Sequence, residues 1–269
     1  MLANQKNLNT FVFDMDGTLL NEHHDLSPLT IRALNELRER GNNVVIATGR
    51  HFMDIRAYLK ELGGGIPTIT CNGATIHNGT GELIQRACLP LTVNEILLPL
   101  GEKLGVHLNM YTDSEWLVNA PCESMLEAHA QSQFFYRQIP LQEMLATPAL
   151  KILFYGENAK LQQLKMQILA TLTTPIHLTF SDDYYLEAMP QAISKGDALK
   201  TLAEHLQFPL ANSMAFGDGF NDVEMFKTVA HPVVMDNASE KLKQLFPDAL
   251  RAQANDVDGV ATFLYEQVL

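Results

Sequence analysis

Phe11-Val12-Phe13-Asp14-Met15-Asp16-Gly17-Thr18 decides how the chain is read. A short apolar run that ends in acidic residues and a glycine reads as a buried strand whose carboxyl end opens into a turn. Asp14 and Asp16 stand two apart, so on an extended segment both carboxylates can lean to one side. Adjacent anions repel unless a cation intervenes, and Mg²⁺ prefers carboxylate and substrate oxygens. A plain Asp-Gly turn after a strand would use the same residues.

Outward from that stretch, Ser27-Pro28 supplies an N-cap and a first-turn proline, Ile31, Leu34 and Leu37 form an apolar stripe, and Gly41 closes the helix. Val44-Val45-Ile46-Ala47-Thr48-Gly49 predicts a second buried strand, residues 51–62 a helix, and residues 66–71 a third strand before Asn72-Gly73. This alternation implies an α/β fold with a parallel sheet and right-handed crossovers. From about Glu82 the pattern changes to strands near 106–110, 116–118, 151–155 and 177–180, with helices near 93–104 and 159–172. Several of these strands alternate apolar and polar residues, as an antiparallel sheet with one covered face requires. After Pro190 the first pattern returns with a helix near 197–206, the strand Ser213–Asp218, a helix from about Asp222, the strand Pro232–Met235 and a last helical segment. The expected domains are a core of residues 1–81 and 191–269 and an inserted α+β unit of residues 82–190.

A formal net charge of -12 with no Lys/Arg cluster disfavours nucleic acid and anionic membranes. An anionic substrate would need local cations, from side chains or a metal. Cys71, Cys88 and Cys122 are too scattered for a disulfide framework or a zinc site, which suits a reducing cytoplasm. The first ten residues carry no leader pattern, and no apolar run reaches membrane-spanning length.

Further polar residues fall at strand or helix ends. Thr48 beside Gly49 could hold a phosphoryl oxygen or merely make a turn. Lys195 in Ser194-Lys195-Gly196-Asp197 suits an anion at a helix entrance, though many lysines are simply solvated. In Gly217-Asp218-Gly219-Phe220-Asn221-Asp222 an acidic cluster follows a buried strand directly, where it could bind metal or cap the next helix. Together these ends bring two acids, a hydroxyl, a cation and a metal carboxylate to one sheet edge, where open α/β sheets place ligands.

In this order Asp14-Met15-Asp16-Gly17-Thr18, Thr48-Gly49-Arg50, Lys195 and Gly217–Asp222 resemble the four motifs of the haloacid dehalogenase superfamily of phosphotransferases. The insertion between the second and third motifs, preceded by Asn72-Gly73-Ala74, is similar to the Cof-type branch with an α/β (type IIB) cap. The resemblance implies a Rossmann-like core with an inserted cap and a Mg²⁺-dependent phosphatase of small phosphorylated metabolites. It implies Asp14 as the nucleophile that becomes an aspartyl-phosphate and Asp16 as the acid, then base. Mg²⁺ would be held by the carboxylates of Asp14 and Asp218 and the main-chain carbonyl of Asp16. Thr48 and Asn221 would bond the transferring oxygens, Lys195 would balance charge beside Asp14, and Asp222 would orient this shell from behind.

Substrate choice is expected from the cap, with Arg50, His51, Asn72, Asn109, Tyr111 and Trp116 as candidates. Trp116 could stack on a ring or fill a core, and His51 could meet a distal phosphate or cap the helix after it. Thr48-Gly49-Arg50-His51 and Tyr111-Thr112-Asp113-Ser114-Glu115-Trp116 resemble phosphatases of hydroxymethylpyrimidine pyrophosphate. A broad sugar-phosphate or cofactor-phosphate phosphatase, for example of pyridoxal phosphate, is the alternative. A receiver-type signalling module would be shorter, accept phosphate at a later strand and lack the insertion. A monomer or homodimer is expected.

Overall fold

The computed structural model describes residues 8–128, 132–191 and 193–269, so most of the amino-terminal stretch read for a leader lies outside the described residues. Two compact units result: the chain up to Arg50 with Arg56–Gln85 and Ser194–Leu269, and His51–Ile55 with Arg86–Ile193. Among the described residues no helix is long and apolar enough to cross a membrane.

In the first part of the chain the order is β1 (Thr10–Phe13), α1 (Pro28–Glu39), β2 (Asn43–Ala47), α2 (Phe52–Glu61), β3 (Thr68–Thr70), β4 (Thr75–His77) and β5 (Leu83–Arg86). The middle holds α3 (Leu91–Lys103), β6 (His107–Tyr111), β7 (Trp116–Val118), α4 (Glu123–Ala128), β8 (Arg137–Gln138), α5 (Leu141–Leu145), β9 (Lys151–Tyr155), α6 (Asn158–Thr171), β10 (Ile176–Asp182) and β11 (Tyr185–Pro190). The chain then continues through α7 (Lys195–Leu206), β12 (Ser213–Gly217), α8 (Val223–Thr228), β13 (His231–Met235), α9 (Glu240–Leu245), β14 (Leu250–Ala252) and α10 (Gly259–Gln267).

The first unit is built on a sheet of order β14-β13-β12-β1-β2-β3-β4-β5. From β14 to β3 every pairing is parallel, while β3 and β4 pair antiparallel through the tight turn at Cys71–Gly73. β1 is central and wholly buried, which suits its uninterrupted apolar sequence. Val12 packs with Leu199, Leu202, Met225 and Phe226 of α7 and α8. On the opposite face Phe13 stacks on Phe216, which meets Phe263 of α10 edge-on. Helix α1 begins as its sequence predicts: the Ser27 hydroxyl accepts the Thr30 amide at 3.0 Å, Pro28 opens the first turn, and Ala33, Leu34 and Leu37 are buried.

The second unit carries a sheet of order β10-β11-β9-β6-β7-β8. Its strands pair antiparallel except β7 with β8, a parallel pair that the alternation of apolar residues does not reveal. Leu108, Met110, Ile152, Phe154, Leu186 and Ala188 turn to one face and pack with Val93, Leu97, Leu161, Leu164 and Ile168 of α3 and α6. On the other face Tyr111, Trp116, Val118 and Leu153 join Met125 and Phe134 in a second, aromatic cluster. The change of residue pattern placed the insertion at 82–190, whereas this unit runs from Arg86 to Ile193 and also takes in the entry of α2 at His51–Ile55, which nothing in the pattern marks.

Candidate active site

The parallel register brings the carboxyl ends of three strands level. Phe13 pairs with both Ile46 and Phe216, so Asp14, Thr48 and Asp218 leave the same edge of the sheet. The Asp14 amide donates to the Phe216 carbonyl at 3.0 Å, and the Thr48 amide to Ile69 at 2.8 Å. Lys195 arrives from the first turn of α7, where Ser194 caps the helix by accepting the Asp197 amide. Its ammonium is fully buried and donates to Asp14 Oδ1 and Asp222 Oδ1, both at 2.7 Å.

Asp14, Asp218 and Asp222 each present a carboxylate oxygen within 4.8 Å of the others. Three acids thus face one lysine. Burial, and then the charge of Asp222, push the Asp14 carboxyl well above its ordinary range, opposed by Lys195. Asp218 is pushed up to about 6, again by burial first and Asp222 second. Burial by itself would lower the Lys195 amine, but the Asp14 and Asp222 carboxylates outweigh it and raise it. Three carboxyl groups and one ammonium thus meet where water is scarce, which favours neutralisation of the acids by protons or by a cation.

A hard divalent cation fits that donor set. Asp222 has little capacity left, since Oδ1 takes Lys195 while Oδ2 accepts the Asp218 and Gly219 amides at 3.1 and 3.0 Å. Asp14 and Asp218 retain open carboxylate positions. Thr18 donates to Asp218 Oδ1 at 3.0 Å and fixes its orientation. Gly17, at φ 69°, lets the turn pass so close that a Cβ there would fall on the Asp218 carboxylate.

Asp14 and Asp16 both keep extended backbone angles, φ -70° and ψ 165° against φ -69° and ψ 128°, but their side chains find different surroundings. Asp14 is buried among charges, whereas the Asp16 side chain is 46% exposed and ion-paired with Arg50. Arg50 Nε and Nη2 donate to Oδ2 and Oδ1 at 2.8 and 2.6 Å. As a substrate-facing candidate Arg50 is thus already engaged by a carboxylate.

Thr48 is buried, and its Oγ1 accepts the Arg50 amide at 3.1 Å, which leaves the hydroxyl proton for another acceptor. Asn221 is exposed and donates through Nδ2 to Asn72 Oδ1 at 3.0 Å. Asn72 sits in a left-handed run, with φ of 50°, 56° and 105° at Cys71, Asn72 and Gly73. Non-glycine residues adopt that conformation at a cost of about 1–2 kcal/mol each. The strained turn places the Asn72 amide against Gly49, beside the second motif, so Asn72 holds Asn221 within the core unit.

The candidates from the second unit lie in its own packing. Trp116 is completely buried and donates its indole N–H to Asn109 Oδ1 at 3.0 Å. Asn109, also fully buried, contacts His107 Nδ1 and the Leu153 carbonyl through Nδ2. Tyr111 stacks on Trp116 at 5.7 Å between centroids, and Lys151 Nζ lies 5.0 Å from the Tyr111 ring centre. Of the two readings of Trp116, stacking surface or core, these placements favour core, and Asn109 is turned to protein partners beside it.

His51 is buried. Its Nδ1 accepts the Met53 amide at 3.2 Å, so Nε2, 2.7 Å from the Thr112 carbonyl, must be the nitrogen that donates. Burial lowers its pKa, partly offset by that carbonyl, and the ring lies flat on Phe134. His51 therefore caps the start of α2 as a neutral imidazole.

Two residues escaped the sequence analysis. Thr18 was visible in its motif but without a role. Asn237 donates to the Gly17 carbonyl at 2.8 Å and lies 3.5 Å from Asp218 Oδ2. It follows β13, so its position after another parallel strand was the available signal.

This chain belongs to the haloacid dehalogenase-like hydrolase family, whose model matches residues 11–264. It is 37% identical over 236 residues to an HMP-PP phosphatase of Serratia proteamaculans, covering 87% of this chain and 86% of that one. An HMP-PP phosphatase of Cronobacter sakazakii is 36% identical over 235 residues, covering 87% and 86%. A haloacid dehalogenase-like hydrolase from Bacteroides thetaiotaomicron superposes with a TM-score of 0.88 at 27% identity, covering 96% of this chain and 99% of its own.

Proposed function

We propose that this phosphatase hydrolyses hydroxymethylpyrimidine pyrophosphate to the monophosphate, with Asp14 as nucleophile and Mg²⁺ as its metal. The observation that carries the chemistry is the buried Asp14–Lys195–Asp222 contact with Asp218 beside it. The substrate is supported by the likeness to the two HMP-PP phosphatases over most of the chain.

Asp14 attacks phosphorus, the bond to the leaving oxygen breaks, and Asp16, protonated at a lone pair that the Arg50 fork leaves open, supplies that oxygen with a proton. Asp16 then takes a proton from the water that frees phosphate from Asp14, regenerating both acids. Asp14, Asp218 and the main-chain carbonyl of Asp16 would hold Mg²⁺, which when bound supplies positive charge to the phosphoryl oxygens. Lys195 stays charged between Asp14 and Asp222, orients Asp14 and, together with the metal, would favour its anionic form against the effect of burial and Asp222. Thr48 and Asn221 donate to the transferring oxygens. Such fixed donors need no rearrangement as charge shifts, which is where most of the barrier reduction arises. Cys71, Cys88 and Cys122 form no disulfide among the described residues, which suits a cytoplasmic site of action.

A second reading, a broad sugar-phosphate or cofactor-phosphate phosphatase, is favoured by one observation: Trp116 is buried, so it offers no ring face to a pyrimidine. A panel containing the pyrimidine pyrophosphate, sugar phosphates and pyridoxal 5′-phosphate, run with and without Mg²⁺, separates the two. Release of phosphate from the pyrimidine pyrophosphate well above the others, and only with Mg²⁺, is expected. Equal rates across the sugar phosphates would overturn the assignment of substrate, and full rates in chelator would overturn the metal.

A further inference from the structure

We infer that Arg50 is a positioning residue for the proton that the leaving group receives: it acts on catalysis only by fixing the Asp16 carboxylate. This rests on the proposed role of Asp16 as acid. Among the described residues, Asp16 has two side-chain partners, the Arg50 fork at 2.6 and 2.8 Å and His24 Nδ1 at 3.4 Å. Without the fork, a carboxylate 46% exposed on a tight turn would have little to select one rotamer.

Most exposed ion pairs contribute little, because both side chains are free to move. This pair differs in that Arg50 is fixed at both ends. Its amide donates to Thr48 Oγ1 at 3.1 Å, and its carbonyl accepts the Cys71 amide at 2.9 Å. Its guanidinium carbon stands 5.5 Å from the Tyr58 ring centre, and Nη1 donates to the Tyr58 hydroxyl at 3.3 Å. That hydroxyl in turn donates to the His24 carbonyl at 2.8 Å, which ties the loop bearing His24 to the same cluster. The guanidinium is thus a prepositioned planar fork, and bidentate pairing transmits its position to the carboxylate. The amide contact also links the fork to Thr48, so the proposed phosphate-binding hydroxyl and the proposed acid share one anchor residue.

The test is a double-mutant cycle on the full chain with saturating Mg²⁺. kcat/KM is measured for wild type, Arg50→Ala, Asp16→Ala and the double variant. Pyridoxal 5′-phosphate has an alkoxide leaving group that needs the proton, and p-nitrophenyl phosphate has one that hardly does. Arg50→Ala is expected to lower kcat/KM for the alkyl ester by about 10- to 100-fold, the scale of a misplaced group. The loss with the nitrophenyl ester should be several-fold smaller. The double variant should be no slower than Asp16→Ala. Arg50→Lys, which keeps charge without the fork, should recover only part of the loss.

Equal losses on both esters, or a double variant slower than Asp16→Ala by the full Arg50 factor, would mean that Arg50 touches substrate and would overturn the inference. Wild-type rates in Asp16→Ala would instead remove the acid role beneath it, and the inference with it. Melting temperatures accompany each variant, and if Arg50→Ala does not fold, the same cycle is run with Arg50→Lys.

Discussion

The candidate residues of the two units are buried in opposite ways. In the core unit, Lys195 and three aspartates are packed with more negative than positive charge, an arrangement that by itself opposes folding. In the other unit, His51, Asn109 and Trp116 are buried neutral, with their polar atoms turned on protein partners. Charge left in excess marks a place prepared for a ligand, whereas a closed set of neutral contacts marks structure. Polar or aromatic identity alone does not distinguish the two.

The largest effect should come from Lys195→Ala. It strands buried carboxylates, so stability should fall by about 3–5 kcal/mol and phosphatase activity should be lost. Chemical denaturation and a phosphate-release assay check this, and a near-neutral change in both would break the contrast between the units.

Next is metal binding. Because the Asp218 carboxyl is pushed up to about 6, protons compete with Mg²⁺ below that pH. Mg²⁺ affinity, read from the rise in melting temperature on titration, should strengthen as pH goes from 5 to 7. Asp218→Asn should weaken it at least tenfold and flatten the pH dependence. Without metal the sign is reversed for stability: the folded protein holds a proton on Asp218 that the unfolded chain releases near 3.8, so this group's contribution declines as pH rises toward 6.

Trp116→Phe probes the other side. It leaves the buried Asn109 oxygen without its indole donor, for a loss of about 1–3 kcal/mol by denaturation. KM and kcat should stay within about twofold at a temperature where the variant is folded, because the ring is wholly buried within its own unit. A large rise in KM would return Trp116 to the substrate site.

The smallest effect concerns His51, whose pKa burial lowers from 6.5. Its contribution is complete above that value and is lost as pH falls through the depressed folded value. The melting-temperature gap between wild type and His51→Gln should narrow at acid pH, and a constant gap would contradict the neutral, buried imidazole.

Much of the core site was legible because its residues follow strands, and strand ends are marked locally by an apolar run and a glycine. Asp14, Thr48 and Asp218 each carry that mark, and the parallel register brings them together. The Asp16–Arg50 pair was not legible: the residues are separated by 34 positions, and nothing local records that a turn aims one at the other. Asn237, in Met235-Asp236-Asn237-Ala238, has an acidic neighbour but not the glycine that flanks the acids of the other motifs. In the second unit the residue pattern indicated β6, β7, β9 and β10 but neither β8 nor the inner strand β11, and alternation does not say which face is covered. Trp116 therefore read as core more readily than as a stacking surface, and Asn109 and Tyr111 placed against it give the packing partners that the sequence does not name.

The account stands on covalent chemistry at Asp14. The most direct measurement is to quench the enzyme in acid during turnover of hydroxymethylpyrimidine pyrophosphate with Mg²⁺, digest it, and locate any transferred phosphoryl group by mass spectrometry. The expected result is a phosphorylated peptide containing Asp14, modified at that aspartate and absent from Asp14→Asn. A phosphoryl group on another residue, or undiminished turnover in Asp14→Asn, would contradict the account.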